Sequence, residues 1–216
     1  MNFLNKNKLR TQFDMLMVSA LFGVVPALCY YLVAEKNIFL GLSWNIFLGL
    51  LPFYFAIKAK ASSNKYVRYF NTFLWFIFLP NAPYLITDLV HIQLNPRNAG
   101  FVLYLVAILS FTGLLSWLFS VRLMLARLPL ILQRWESVRK YGYLVLCILS
   151  GVGVAMGRFG RLNSWEVFYQ PVKVIRSTVH MYTDWFPWVV TIFIAIMLYF
   201  LKDINIPKFK KIELNK

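Results

Sequence analysis

The sequence predicts an all-α polytopic membrane protein: one integral domain over residues 1–216, six transmembrane helices, a broken third helix and an amphipathic helix on the outer interface. Three observations carry this. A chain that is 60% apolar, 18% aromatic and 14% charged is too apolar for a soluble domain of 216 residues. Its apolar residues gather in six runs, roughly 15–34, 38–57, 70–90, 101–121, 141–156 and 185–201, and about 20 residues suffice for a helix to cross a bilayer. The basic residues between the runs then divide 17 to 6 by side, with four acidic residues on each. Lys and Arg near helix ends are retained on the cytoplasmic side, so both termini are expected to be cytoplasmic.

The net charge of +15 does not point to nucleic acid. The basic residues stand between membrane-length runs, where they set topology and contact anionic headgroups. Membrane lipids are therefore the expected partners.

Taken in order, the first run has the basic start of a signal peptide, but it is too long and no small-residue cleavage site follows. Leu28 before Cys29 argues against lipoprotein processing. Cys29 and Cys147 both fall inside runs and are expected to be buried packing residues, not a disulfide or metal site. The link at 35–37 makes the first two helices a tight hairpin. Near the outer end of the second run stand Ser43-Trp44-Asn45, where Asn45 is an intramembrane amide suited to an interhelical hydrogen bond. Residues 58–69 form a basic cytoplasmic turn. The link at 122–140 carries five basic residues and Trp135, is divided by Pro129, and is expected to lie on the inner surface.

The third run breaks the pattern, reading Leu79-Pro-Asn-Ala-Pro-Tyr-Leu-Ile-Thr-Asp-Leu-Val-His91. Pro80 and Pro83 remove two backbone donors and disfavour helix before them. Asn81 is placed to cap a new half-helix, with Pro83 in its first turn. On a regular half-helix Tyr84, Asp88 and His91 share one face. A proline kink repaired by neighbouring helices explains the prolines. It does not explain ionisable groups collected near the membrane, where they are costly.

The fifth run ends in Gly157-Arg-Phe-Gly-Arg-Leu-Asn-Ser-Trp-Glu166. Gly153 and Gly157 form a small-xxx-small pair that permits close helix contact. Arg158 and Arg161 stand on the side that otherwise avoids basic residues. Their planar forks suit a phosphate or a carboxylate, and an internal acid such as Asp88 or Glu166 is equally compatible. Asn163 with Glu166 has the spacing of a capping box, so a helix is expected to start there. From 165 to about 182 polar residues recur every three or four positions, as in an interfacial amphipathic helix kinked near Pro171. Lys173 and Ser177 are expected simply to face water. His180 and Asp184, four apart, repeat the acid–imidazole pairing of Asp88 and His91, a pattern open to metal binding or acid–base work.

The 79–91 block, the 157–166 block and the Trp44-Asn45 pair resemble a family of bacterial multipass membrane proteins catalogued as domain of unknown function 1361. The resemblance covers about residues 44–201. The family pattern reads close to Gly-Arg-Phe-x-Arg-Trp-Asn-Ser-Trp-Asp. Here Leu162 stands for the first Trp and Glu166 for the Asp, so the carboxylate survives and an aromatic does not. The resemblance implies a protein of the bacterial plasma membrane and assigns no activity, cofactor or metal.

Three functions fit these residues. One is an outer-face site for an anionic group such as a lipid-linked phosphate, with Arg158 and Arg161 holding the anion and Asp88 and His91 positioning or activating a group. Asn45, Asn81, Tyr84, Asn163 and Glu166 would support that site. A second is transport, since broken helices with ionisable groups build substrate sites in carriers. A third is a structural or assembly protein whose charges form internal salt bridges.

Overall fold

A backbone surrounded by hydrocarbon must satisfy its own N–H and C=O groups, which long helices do. The computed structural model describes residues 3–34, 37–89, 99–126 and 136–204. Helices α1 (Phe3–Ala34), α2 (Asn37–Ala61), α3 (Lys65–Phe78) and α4 (Asn81–Tyr84) lead into a 3-10 turn, Leu85–Leu89. They are followed by α5 (Ala99–Leu125), α6 (Glu136–Phe159), α7 (Glu166–Tyr169), α8 (Pro171–Met181), α9 (Phe186–Phe200) and a closing 3-10 turn, Leu201–Asp203. The described residues contain no strand.

Among the described residues five segments are long and apolar enough to cross a membrane: Leu9–Leu32, Leu40–Ala61, Ala99–Leu125, Lys140–Phe159 and Phe186–Asp203. The third apolar run is not among them, because α3 holds only 14 residues before the chain turns at Leu79 and Pro80. The expected hairpin link at 35–36 and most of the expected inner-surface segment, 127–135, lie outside the described residues.

Large apolar side chains cover the outside of the bundle, among them Leu21, Phe22 and Val25 of α1 and Ile192, Phe193 and Ile196 of α9. Such a surface suits acyl chains rather than water. Cys29 lies on this outer surface, not buried as expected, whereas Cys147 is buried. The inward stripe of α1 is taken by Leu16, Ala20 and Ala27 instead.

Two polar contacts tie the core. The Trp117 indole N–H donates to Ser150 Oγ at 2.9 Å, joining α5 to α6. The Tyr143 hydroxyl donates to the Leu198 carbonyl at 2.9 Å, joining α6 to α9. At one end Arg122 donates to the carbonyls of Lys202 (3.0 Å) and Ile204 (2.7 Å). The last carbonyls of a helix lack intrahelical donors, and a cation there satisfies them.

The short helix α4 is held deep in the bundle by missing side chains. A Cβ on Gly113 of α5 would lie 2.2 Å from the Ala82 carbonyl oxygen. A Cβ on Gly153 of α6 would lie 2.4 Å from the Pro80 ring. One turn on, Gly157 leaves room for the Tyr84 ring. The small-xxx-small pair thus seats α6 on the proline turn, and Ala82 and Pro83 are buried.

Candidate functional site

The proline turn repairs its own hydrogen bonds. Pro83 cannot donate to the Leu79 carbonyl, and the Ala82 N–H reaches it instead at 3.4 Å. That shift releases the Phe78 carbonyl, which the Asn81 side-chain amide takes at 3.1 Å. The other amide hydrogen of Asn81 goes to Ser164 Oγ at 2.8 Å. Asn81 is therefore not the expected N-cap acceptor. Pro80 occupies the cap position of α4 with no side-chain bond, and Asn81 closes the helix behind it. The same amide joins the 79–91 block directly to the 157–166 block.

The expected common face of Tyr84 and Asp88 does not form. Residues 85–89 wind as a 3-10 helix, with about three residues per turn, so positions four apart are about a third of a turn out of line. Ser110 supports the turn by donating to the Leu85 carbonyl at 3.0 Å. Asp88 is buried and accepts from the Asn45 amide of α2 at 3.0 Å. The Arg158 charge acts on it electrostatically. His91 lies outside the described residues.

At the end of α6, Arg161 adopts a left-handed φ of 50°. This turns the chain back so that the Leu162 N–H reaches the Met156 carbonyl at 3.3 Å. A side chain in that conformation costs about 1 kcal/mol relative to glycine, and such strain concentrates at functional sites. Arg161→Gly should accordingly raise thermal stability by about 1 kcal/mol and still weaken anion binding. Equal binding by the two proteins would remove Arg161 from the site.

The capping box forms only in part. The Asn163 N–H and its side-chain amide both donate to Glu166 Oε1 at 3.2 Å, but α7 begins at Glu166 with Trp165 at its cap position. The other carboxylate oxygen, Oε2, accepts from Lys173 Nζ at 2.9 Å. Lys173 does not merely face water, as expected. It pairs with the buried Glu166 and fastens α8 to the turn. The helix expected over 165–182 with a kink near Pro171 is two pieces, Glu166–Tyr169 and Pro171–Met181, interrupted at Gln170.

This pair makes the turn pH-sensitive. The Lys173 bond, and then the Asn163 backbone N–H, hold the Glu166 carboxyl below its ordinary range, and Glu166 raises Lys173. A carboxyl with a depressed folded-state pKa contributes stability above its unfolded value and loses it as pH falls through the folded one. A raised lysine contributes below its unfolded value and loses it as pH rises through the folded one. Melting temperature should thus decline below the ordinary glutamate range, and Glu166→Gln should flatten that acid limb. An acid limb identical in the variant would show the pair to be idle.

A cavity of about 790 Å³ lies between the two blocks. Asn45, Asn81, Tyr84, Arg158, Arg161 and Asn163 line it together with Ser164. Asp88 and Glu166 do not, each being turned toward a protein partner. Among the described residues neither Arg158 nor Arg161 has a hydrogen-bond or ion-pair partner. His180 and Asp184 border a separate cavity with Arg176, and no bond joins them. Among the described residues no three His, Cys, Asp or Glu side chains cluster as a metal site would need.

Sequence reasoning missed Ser164 and Lys173. Ser164 carries no signal apart from the turn that presents it. Lys173, seven residues from Glu166, sits beyond ordinary helix spacing, and only the break at Gln170 brings it back.

No curated protein and no solved structure matches this chain. A family model does match, over residues 44–201, which includes both blocks and Asn45. The chain belongs to the family described as protein of unknown function DUF1361.

Proposed function

We propose that the cavity between the proline turn and the end of α6 receives an anionic group, a phosphate borne by a membrane lipid, at the outer face of a bacterial plasma membrane. The observation that carries this reading is the division of labour among the charges. The buried carboxylates already have protein partners, Asn45 for Asp88 and Lys173 with Asn163 for Glu166. The arginines border the cavity with their donors uncommitted to the described residues. A guanidinium fork matches two oxygens of a phosphate, and Asn81, Ser164 and Asn163 supply neutral polar groups beside it. Asp88 then serves as a positioning residue that orients Asn45 and tempers Arg158.

In this reading α3, the proline turn and the 85–89 segment together make a sixth, broken crossing, and both termini are cytoplasmic. Cysteine scanning tests the orientation. Ser177→Cys should react with an impermeant thiol reagent on intact cells, and Asn64→Cys only after lysis. The reverse pattern would invert the protein and move the cavity inside.

The anion itself is tested by equilibrium binding of inorganic phosphate and of a lipid phosphate to the purified protein, wild type against arginine variants. The rival reading, a purely structural network, is favoured by the fully partnered Glu166. It predicts that Arg158→Ala and Asp88→Asn fail to accumulate in the membrane, whereas an anion site predicts normal levels of Arg158→Ala and lost binding.

A further inference from the structure

The cavity is two-sided, and its second side is unexplained by an anion alone. Away from the arginines the lining is apolar except for Ser150, whose hydroxyl is held by the Trp117 indole, with Phe73, Phe76 and Ile77 coming from α3 and Leu149, Val152 and Met156 from α6. From Arg158 back to Leu149 is nine residues, about 13 Å along the helix at 1.5 Å per residue. The two walls close against other partners: α3 packs on α2, and α6 packs on α9. Phe73, Phe76 and Leu149 are 48%, 44% and 40% exposed. The cleft therefore opens on the outer surface of the bundle, where the bilayer lies. Across it runs one contact from α7, the edge-on pair of Phe168 with Phe73, ring centroids 5.9 Å apart.

We infer that the α3–α6 cleft is a groove for a single hydrocarbon chain, so that the ligand is a phosphate carried on one long chain, isoprenyl or acyl, which enters sideways from the bilayer. This rests on the anion reading and adds the substrate class and its route. A free phosphate would need only the polar end. An apolar groove continuous with a cationic end is complementary to an amphipathic anion lying along α6, head at Arg158 and tail toward Leu149. The apolar walls come chiefly from α3 and α6, with Leu48 of α2, Val167 of α7 and Val174 of α8 adding to the lining, and we take one chain, not two, to lie between those walls.

Photocrosslinking tests this with the full chain in nanodiscs of phosphatidylcholine. The probe is farnesyl phosphate bearing a diazirine at the far end of its chain, and labelled residues are located by mass spectrometry. Labelling is expected on residues 73–77 of α3 and 149–156 of α6. Val152→Trp, which fills the groove, should cut that labelling at least tenfold while leaving affinity for inorganic phosphate unchanged. If Val152→Trp does not fold, Leu149→Trp takes its place. Excess lysophosphatidate, a single acyl chain with the same head, should suppress labelling more strongly than equimolar inorganic phosphate. Labels scattered over the outer faces of α1 and α9, or full labelling of the filled groove, would overturn the inference even if phosphate still binds. A wild-type protein that binds neither farnesyl phosphate nor inorganic phosphate would sink the anion reading itself.

Discussion

Replacing Arg158 and Arg161 together with alanine should lower affinity for a phosphate-bearing lipid by at least about a hundredfold without lowering the amount of protein in the membrane. A hydrogen bond to a charged group contributes about 1.5–3 kcal/mol, and about 1.4 kcal/mol is a factor of ten in affinity. Two lost guanidinium contacts therefore exceed two decades. Most of this should come from Arg158, which is half-buried, because the exposed Arg161 is better screened by solvent. Arg158→Lys keeps the charge but not the fork, and should lose roughly tenfold, the value of one of the two contacts. Membrane levels should hold because neither arginine has a partner among the described residues. A double variant that binds normally removes the anion site, and one that is degraded makes the arginines structural.

The largest loss of stability should follow Gly113→Val. Even a Cβ there would stand 2.2 Å from the Ala82 carbonyl oxygen, and a backbone oxygen inside the proline turn cannot rotate away as a side chain can. Overpacking a core costs about 1–3 kcal/mol for modest additions. Here the branched side chain must move α5 or α4 bodily, so a loss of about 3 kcal/mol or more is expected, from a total near 5–15. Gly113→Ala should fall within about 1–3 kcal/mol. Gly100 on the same helix is the control, since nothing lies within 4 Å of a Cβ there, and Gly100→Ala should be neutral or slightly stabilising. Thermal unfolding in detergent measures all three. If Gly113→Val melts with the wild type, α5 does not grip the turn as described.

The same glycines mark how much could be read from the sequence. The long apolar helices were legible because membrane length and hydropathy leave few alternatives. That Pro80 and Pro83 cannot donate was legible because a missing N–H is a property of the residue. The direction of Asn81 was not, since it follows from the Ala82 N–H shifting by one carbonyl, a choice made by the folded turn. The separation of Tyr84 from Asp88 was hidden for a related reason: nothing in Leu85-Ile-Thr-Asp-Leu announces a 3-10 turn. At the other block, paired arginines and a carboxylate within nine residues look like partners in one dimension. The left-handed Arg161 and the break at Gln170 give the carboxylate to Lys173 instead. Composition supplied the candidates, and backbone geometry decided which of them meet.

On the proposed reading Arg158 and Arg161 hold the phosphate of a lipid between the proline turn and the end of α6. An experimental structure in a bilayer containing a single-chain lipid phosphate tests it most directly. Phosphate oxygens are expected about 2.7–2.9 Å from guanidinium nitrogens of Arg158, with the Asn81–Ser164 bond intact beside them. Arg158 folded onto Asp88 in a closed ion pair, with the added lipid lying elsewhere on the bundle, would contradict it.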